Sequence, residues 1–188
     1  MIGNDIIDIE YTRRHTDWKR RGWIDKVFDE KEQESITIPS DSFLTVWRMW
    51  SMKEAVYKLH MRSTQERSFN PLSLSCRMLD DEMGVVEVDR VKYFTQTNFT
   101  NDYIFTSTVD SRKMKVDHHI KSIDAFNFES RYDIILDTMC NYQEWDKSKC
   151  RLVKNDLGIP EIYFNDKKSI VMISITHHGK YLGFSYCC

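Results

Sequence analysis

Glycine and proline are scarce here: six Gly and three Pro among 188 residues leave little room for a disordered linker. No apolar run approaches the roughly 20 residues that span a bilayer, so no membrane segment is expected. Met1-Ile2-Gly3-Asn4-Asp5 lacks a charged region followed by an apolar core, which argues against a secretory leader. The cysteines, Cys76, Cys140, Cys150, Cys187 and Cys188, are odd in number and no two have zinc-finger spacing, which points to a reduced, cytoplasmic setting. Basic residues are not in excess either. With 27 Lys+Arg against 29 Asp+Glu the formal net charge is −2. Nucleic acid is therefore not an expected partner, and any electrostatic partner must be met by a local patch. What the chain does have is a 41% hydrophobic share with five Trp, nine Tyr and ten Phe. That is enough for one domain, or for two small halves around a shared core.

Ile2 to Glu10 sets β-branched residues around Asp5, Asp8 and Glu10, predicting a short strand with carboxylates at its end or on one face. A charge-protected edge strand reads this way. So does a hard-cation site, because magnesium takes one or two carboxylates together with water and substrate phosphate. Arg13, Arg14, Lys19, Arg20 and Arg21, interleaved with Trp18 and Trp23, form a basic patch expected on a helix. It is either a solvated face or a docking surface for an acidic protein. Asp29 and Glu32 have the spacing of a capping box. Pro39-Ser40-Asp41 breaks that helix and caps the next, predicted from about Ser42 to Leu59. This second helix is apolar on two sides, Phe43, Val46, Trp47 and Trp50 on one and Met52, Ala55, Val56 and Leu59 on the other, which makes it central. Beyond Pro71 the pattern predicts a strand over 72–76, one or two over 84–97 and another over 103–109, then a helix over about 128–145. Residues 150–153, a turn at 155–160 and a last strand pair over 170–186 follow. No fixed-period repeat is present, and the sum is an α+β chain.

In the central helix Glu54 and Lys58 stand four apart on one face, one turn beyond Trp50. Alone this is an ordinary surface ion pair; at the edge of an apolar surface the same two groups can also hold a metal and a phosphate. His118-His119 and His177-His178 are adjacent pairs on predicted strands, where neighbours point to opposite faces, so neither pair chelates well. Cys187-Cys188 reads as a frayed tail.

Three separated motifs change the weighing. Gly3-Asn4-Asp5-Ile6-Ile7-Asp8-Ile9, Trp50-Ser51-Met52-Lys53-Glu54-Ala55-Val56-Tyr57-Lys58 and Ser174-Ile175-Thr176-His177-His178-Gly179 resemble the signatures of 4′-phosphopantetheinyl transferases. Gly158-Ile159-Pro160 resembles the family's Gly-Lys-Pro, and Phe28 to Glu32 its Phe-Ser-x-x-Glu helix start. In the larger, surfactin-synthetase-activator type the half bearing the His comes first; here the Gly-x-Asp half comes first and the His half last. The small holo-acyl-carrier-protein synthases also run in the present order, but with the His much nearer the helix. The resemblance therefore implies a pseudo-dimer of two small α+β halves with their order permuted, residues 1–125 and 126–188. Each half would be a few-stranded antiparallel sheet packed on a long helix. A monomer is favoured, with a homodimer or trimer as the alternatives.

The implied activity is transfer of the phosphopantetheine arm of coenzyme A to a serine of an apo acyl or peptidyl carrier protein, as in fatty-acid, polyketide or peptide synthesis, leaving 3′,5′-ADP. Asp5 and Glu54 would hold Mg²⁺, Lys58 would pair with a phosphate, and Glu54 or a metal-bound water would take the serine proton. His177 and Thr176 would contact the 3′-phosphate of the coenzyme, with Lys53 and Lys154 as further contacts. The carrier would dock on Arg13, Arg14, Lys19, Arg20 and Arg21. There are departures. Ile7 stands where the larger type has a second acid, and Asp8 would act at one remove from the metal. Ile159 replaces the usual Lys, and Arg131, Lys147, Lys149, Arg151 or Lys154 would replace the missing Arg-rich segment. The competing readings are a non-enzymatic module that binds an acidic partner through its basic helix, and a Mg²⁺-dependent phosphoanhydride hydrolase.

Overall fold

The β-branched run at the N-terminus forms strand β1 (Ile2–Asp8), buried along its whole length. Three short helices follow, α1 (Ile9–His15), α2 (Trp23–Val27) and α3 (Glu30–Thr37), and then the long α4 (Ser42–Thr64). Strands β2 (Ser75–Met78), β3 (Met83–Val88), β4 (Val91–Phe99) and β5 (Tyr103–Val109) complete a first antiparallel sheet of order β1-β5-β4-β3-β2. Next come β6 (Val116–Ser122), α5 (Arg131–Gln143), β7 (Cys150–Lys154), β8 (Pro160–Phe164), β9 (Lys167–His178) and β10 (Tyr181–Cys187). They build a second antiparallel sheet, β6-β10-β9-β8-β7. This computed structural model describes residues 1–38, 41–110, 115–123 and 130–187. No helix among them is long and apolar enough to cross a membrane.

Strand for strand, the second sheet repeats the order of the first, and each sheet has its long helix between its first and second strands. The chain is thus α+β in two halves, as the motifs implied. The first sheet closes at Val109 and the second opens at Val116, ahead of residue 125, where the sequence suggested the division. Helix α4 covers the first sheet through Val46, Met49, Met52, Val56 and Leu59, and α5 covers the second through Ile135 and Met139.

Several elements differ from expectation for identifiable reasons. Residues 71–73 form a 3-10 turn instead of a strand, because Pro71 lacks an N–H and the Asn70 side chain accepts from Leu72 N. The basic segment is helical only to His15; Lys19, Arg20 and Arg21 lie in the turn before Gly22, which takes φ 74. Helix α4 continues past Leu59 to Thr64 and ends at Gln65, φ 58, whose N–H reaches Met61 O. Asp41 caps α4 at Leu44 N, 3.2 Å, while Pro39 and Ser40 lie outside the described residues, as do the expected helix start at Phe128 and the residue Cys188. Cys187 is no frayed tail: it is 1% exposed within β10.

The two sheets meet along β1. An edge strand leaves alternate N–H groups unpaired. Here they find side chains of β9: Asn4 N donates to Ser174 Oγ at 3.1 Å, Ile6 N to Thr176 Oγ1 at 3.3 Å and Asp8 N to His178 Nδ1 at 3.0 Å. On its other flank β1 lies so close to α4 that a Cβ on Gly3 would fall 2.0 Å from Ala55 O. The Gly of the first motif and the Ala of the second are therefore one packing contact.

Candidate active site

That contact sets Asp5 beside the helix. Gly3, Asp5 and Ile7 share one side of β1, so placing Gly3 on Ala55 aims Asp5 at the stretch of α4 that bears Glu54 and Lys58. Lys58 Nζ donates to Asn4 O at 2.8 Å and lies 3.3 Å from Asp5 Oδ1, which also accepts from Thr176 Oγ1 at 3.0 Å. Asp5 Oδ2, by contrast, is buried with no hydrogen-bond partner among the described residues. Glu54 lines the same recess, together with Trp23, Trp47, Trp50, His177 and His178. Burial, and next the charge on Asp5, push its carboxyl up to about 7, with Lys58 acting in the opposite direction. A carboxyl whose proton affinity is raised beside a second carboxylate with an orphaned buried oxygen is a donor set suited to a divalent cation. No cluster of three or more His, Cys, Asp or Glu exists among the described residues, so water and substrate would fill the other coordination positions.

His177 joins this recess to a larger cleft of about 380 Å³ between α4, the start of α5, the Gly158 turn and β9. Lys58, Arg62, Arg67, Arg131 and Lys154 line it, and no carboxylate does among the described residues. In a chain of net charge −2 this is a concentrated cationic surface. His177 responds to it: burial first, then Arg131, hold its pKa below the ordinary value. A neutral imidazole among cations is a hydrogen-bond partner for a phosphate, not a metal ligand held by acids.

Asp5, Glu54, Lys58, Thr176, His177 and Lys154 are thus brought to one place. Thr176 contributes chiefly by fixing Asp5 and the β1 edge. Lys53 is a correction. It is 0% exposed, points away from the cleft, and donates to Glu32 at 2.7 Å, Val27 O at 2.8 Å and Pro71 O at 2.9 Å. Helical spacing explains this: one residue before Glu54 lies about 100° around the helix. Glu32 uses the same carboxylate to close the capping box with Asp29, as its spacing predicted. Asp8 is likewise structural, capping α1 at Tyr11 N and accepting from Lys180 N at 3.1 Å. Of the basic residues offered as substitutes, Lys147, Lys149 and Arg151 are paired on the surface with Asp133 and Asp137, Asp146, and Asp166.

Arg62 and Arg67 were not among the sequence candidates. The signal for Arg62 was available, since Glu54, Lys58 and Arg62 repeat at four-residue steps, but it needed the helix to run past Leu59. The basic patch is partly committed: Arg14 pairs with Glu10 at 2.5 Å, and Arg13 lies 3.7 Å from Asp41 and over the Phe43 ring.

A comparison with curated protein sequences finds no match. A family model described as the 4′-phosphopantetheinyl transferase superfamily does match, over residues 1–114. Those residues include the whole first sheet, Asp5 and the Glu54–Lys58 helix, and they make up more than half of the chain. The chain belongs to the 4′-phosphopantetheinyl transferase superfamily.

Proposed function

We propose that the protein transfers the 4′-phosphopantetheine moiety of coenzyme A to a serine of an apo acyl or peptidyl carrier protein and releases 3′,5′-ADP. The observation that carries this is the orphaned Oδ2 of Asp5 beside Glu54, opening through His177 onto a cleft lined with cations. Asp5 and Glu54 would hold Mg²⁺. When bound, it neutralises charge on the pyrophosphate and so favours attack at phosphorus. Lys58 has three donors; among the described residues two are engaged, with Asn4 O and Asp5, which leaves the third to meet a phosphate oxygen. The serine Oγ attacks the β-phosphorus, the bond from that phosphorus to the bridging oxygen breaks, and 3′,5′-ADP departs with the bridging oxygen. Glu54, ionised by the cation it would hold, takes the serine proton. Trp23, Trp47 and Trp50 limit water around it. Thr16 ends α1 at about the level of this recess, so the turn bearing Lys19, Arg20 and Arg21 begins near its mouth and suits an acidic carrier surface. Both parts of the site lie in one chain, which supports a monomer as the active unit.

The test is mass spectrometry of an apo carrier protein incubated with coenzyme A, Mg²⁺ and this chain. Gain of the phosphopantetheine mass on the carrier is expected. Release of 3′,5′-ADP with the carrier unmodified would replace transfer with hydrolysis, and no reaction with acyl or peptidyl carriers would remove the enzymatic reading.

A further inference from the structure

Asp5 shares its side of β1 with Gly3 and Ile7, so Asn4 between them points the other way, into the second half. Asn4 is 0% exposed, and its polar groups are tied to three other elements. Its N–H donates to Ser174 Oγ of β9 at 3.1 Å. Its main-chain oxygen accepts from Lys58 Nζ at 2.8 Å, closer than the 3.3 Å from Lys58 to Asp5. Its side-chain Nδ2 donates to Ser185 Oγ of β10 at 3.0 Å. Ser185 is also 0% exposed, and its Oγ lies 2.8 Å from His118 Nδ1 on β6. An amide N–H only donates, so Ser185 accepts from Asn4 and gives its own hydrogen to His118, its one acceptor among the described residues. His118 therefore carries its N–H on Nε2. Partial burial holds the pKa of His118 below the ordinary value, which keeps the ring neutral, and Phe105 packs edge-on against it, ring centroids 5.6 Å apart. A continuous chain of hydrogen bonds thus runs from β6 through β10 and β1 to Lys58.

One polar atom of Asn4 is left out: Oδ1 is buried with no partner among the described residues. A buried acceptor without a donor costs stability, and an apolar side chain here would not incur that cost. Stability alone does not call for an amide at this place. What the amide adds is a fixed orientation of β1 at the residue whose carbonyl meets Lys58. We propose that Asn4 is a positioning residue for Lys58, and that Ser185 and His118 of the second half hold it in place. The assignment rests on the reading of the acidic corner as the transferase site. Without the tie the Asn4 carbonyl turns from Lys58, which is left to Asp5, and that charge then competes with the phosphate for it.

The experiment measures single-turnover transfer for the wild type, N4L, H118F and H118Q, and for N4L and H118F in a K58Q background. Thermal melts confirm that each variant is folded in the assay; the His118 pair, at the far end of the chain of bonds, gives the answer where N4L is not. N4L should lower kcat about tenfold and H118F about threefold, with KM for coenzyme A and for the carrier within about twofold. H118Q, whose carbonyl can accept from Ser185, should stay within about twofold of the wild type. In K58Q neither N4L nor H118F should lower kcat further by more than about twofold, because both act through Lys58. Equal losses in K58Q and wild-type backgrounds, H118Q as impaired as H118F, or kcat unchanged in N4L and H118F would each overturn the assignment. If the wild type transfers nothing, the functional reading fails and lysine-labelled carbon NMR decides the inference. The Lys58 Cε signal, identified by its loss in K58Q, should then shift in N4L and H118F but not in H118Q. A signal that N4L and H118F leave unmoved overturns it.

Discussion

The two halves share a strand order but only one of them carries the acidic corner. In the first, β1 pairs with β5 so that Ile2 faces Val109; in the second, β6 pairs with β10 so that Val116 faces Cys187. Counting along these matched strands, the fourth residue is Asp5 in one and His119 in the other. Asp5 meets Lys58 and Thr176, whereas His119 lies flat against Phe184 and Tyr186, at 4.9 and 5.5 Å between ring centroids. The second residue is Gly3 in one and Asp117 in the other. Without a side chain at Gly3, α4 can lie directly on β1; α5 meets its own sheet chiefly at β7. The same scaffold thus makes an acidic corner where the helix lies on the first strand, and an aromatic stack where the helix lies chiefly over β7. The second half serves the site through β9 instead, by fixing Asp5 and extending the cationic cleft.

Exchanging chemistry at the matched positions tests that contrast most severely. D5N and E54Q should each lower kcat for transfer about 10³-fold or more, because each removes a carboxylate that no neighbour replaces. H119Q should leave transfer within about twofold and lower stability through its lost stacking. Single-turnover transfer assays, run beside thermal melts, separate the two effects. Comparable losses of activity from H119Q and D5N would break the comparison.

Ion pairs provide the next contrast. Lys53 and Glu32 are 0% and 2% exposed in side chain, whereas Lys147 and its partners Asp133 and Asp137 in the second half are 41%, 67% and 56% exposed. Removing Lys53 leaves a buried carboxylate with no counterion, so K53M should cost about 3 kcal/mol or more, with partial recovery in K53M/E32Q. K147A should cost under about 0.5 kcal/mol. Urea titration measures both. Transfer per folded molecule should be unchanged in K53M, and a rise in KM for coenzyme A would return Lys53 to the site.

Much of the fold was legible because local rules governed it. The Asp29–Glu32 capping box, the β-branched and aromatic run of β5 and the two-sided apolar pattern of α4 all follow from neighbours a few residues apart. The motifs named Asp5, Glu54 and His177, and these do converge. What local rules could not give were pairings of distant residues. Lys53 could be placed only by knowing that the Glu32 oxygen that accepts from Asp29 N also accepts from a lysine 21 residues away. The β1–β9 bonds join residues 170 apart in sequence, and no periodicity announces them. The repeat of sheet order was implied by the resemblance alone, because the two halves keep topology without keeping sequence. Arg62 was missed for a simpler reason: nothing between Leu59 and Thr64 is a strong helix breaker, and ending the helix early hid the third residue on the active face.

The smallest expected effect concerns the proton that Glu54 holds when no metal is present. Burial and Asp5 push this carboxyl up to about 7, above its unfolded value of about 4.3. The metal-free fold then binds the proton more tightly than the unfolded chain does, so Glu54 contributes stability that is complete below about pH 4.3 and is lost as pH rises through about 7. His177 and His178 act in the opposite sense. Burial lowers their pKa values, so their neutral forms gain stability as pH rises toward the ordinary histidine range. The difference between wild type and E54Q cancels the histidine contribution to first order and isolates the carboxyl. In chelator, the melting temperature of the wild type should fall relative to E54Q by a few degrees between about pH 5 and 7.5, a window set by the Glu54 value. Saturating Mg²⁺ should reverse the trend, because cation binding favours the ionised pair that the empty site disfavours. A wild-type curve parallel to E54Q in chelator would mean that Asp5 and Glu54 do not share charge, and would make the acidic corner as inert as its counterpart at His119.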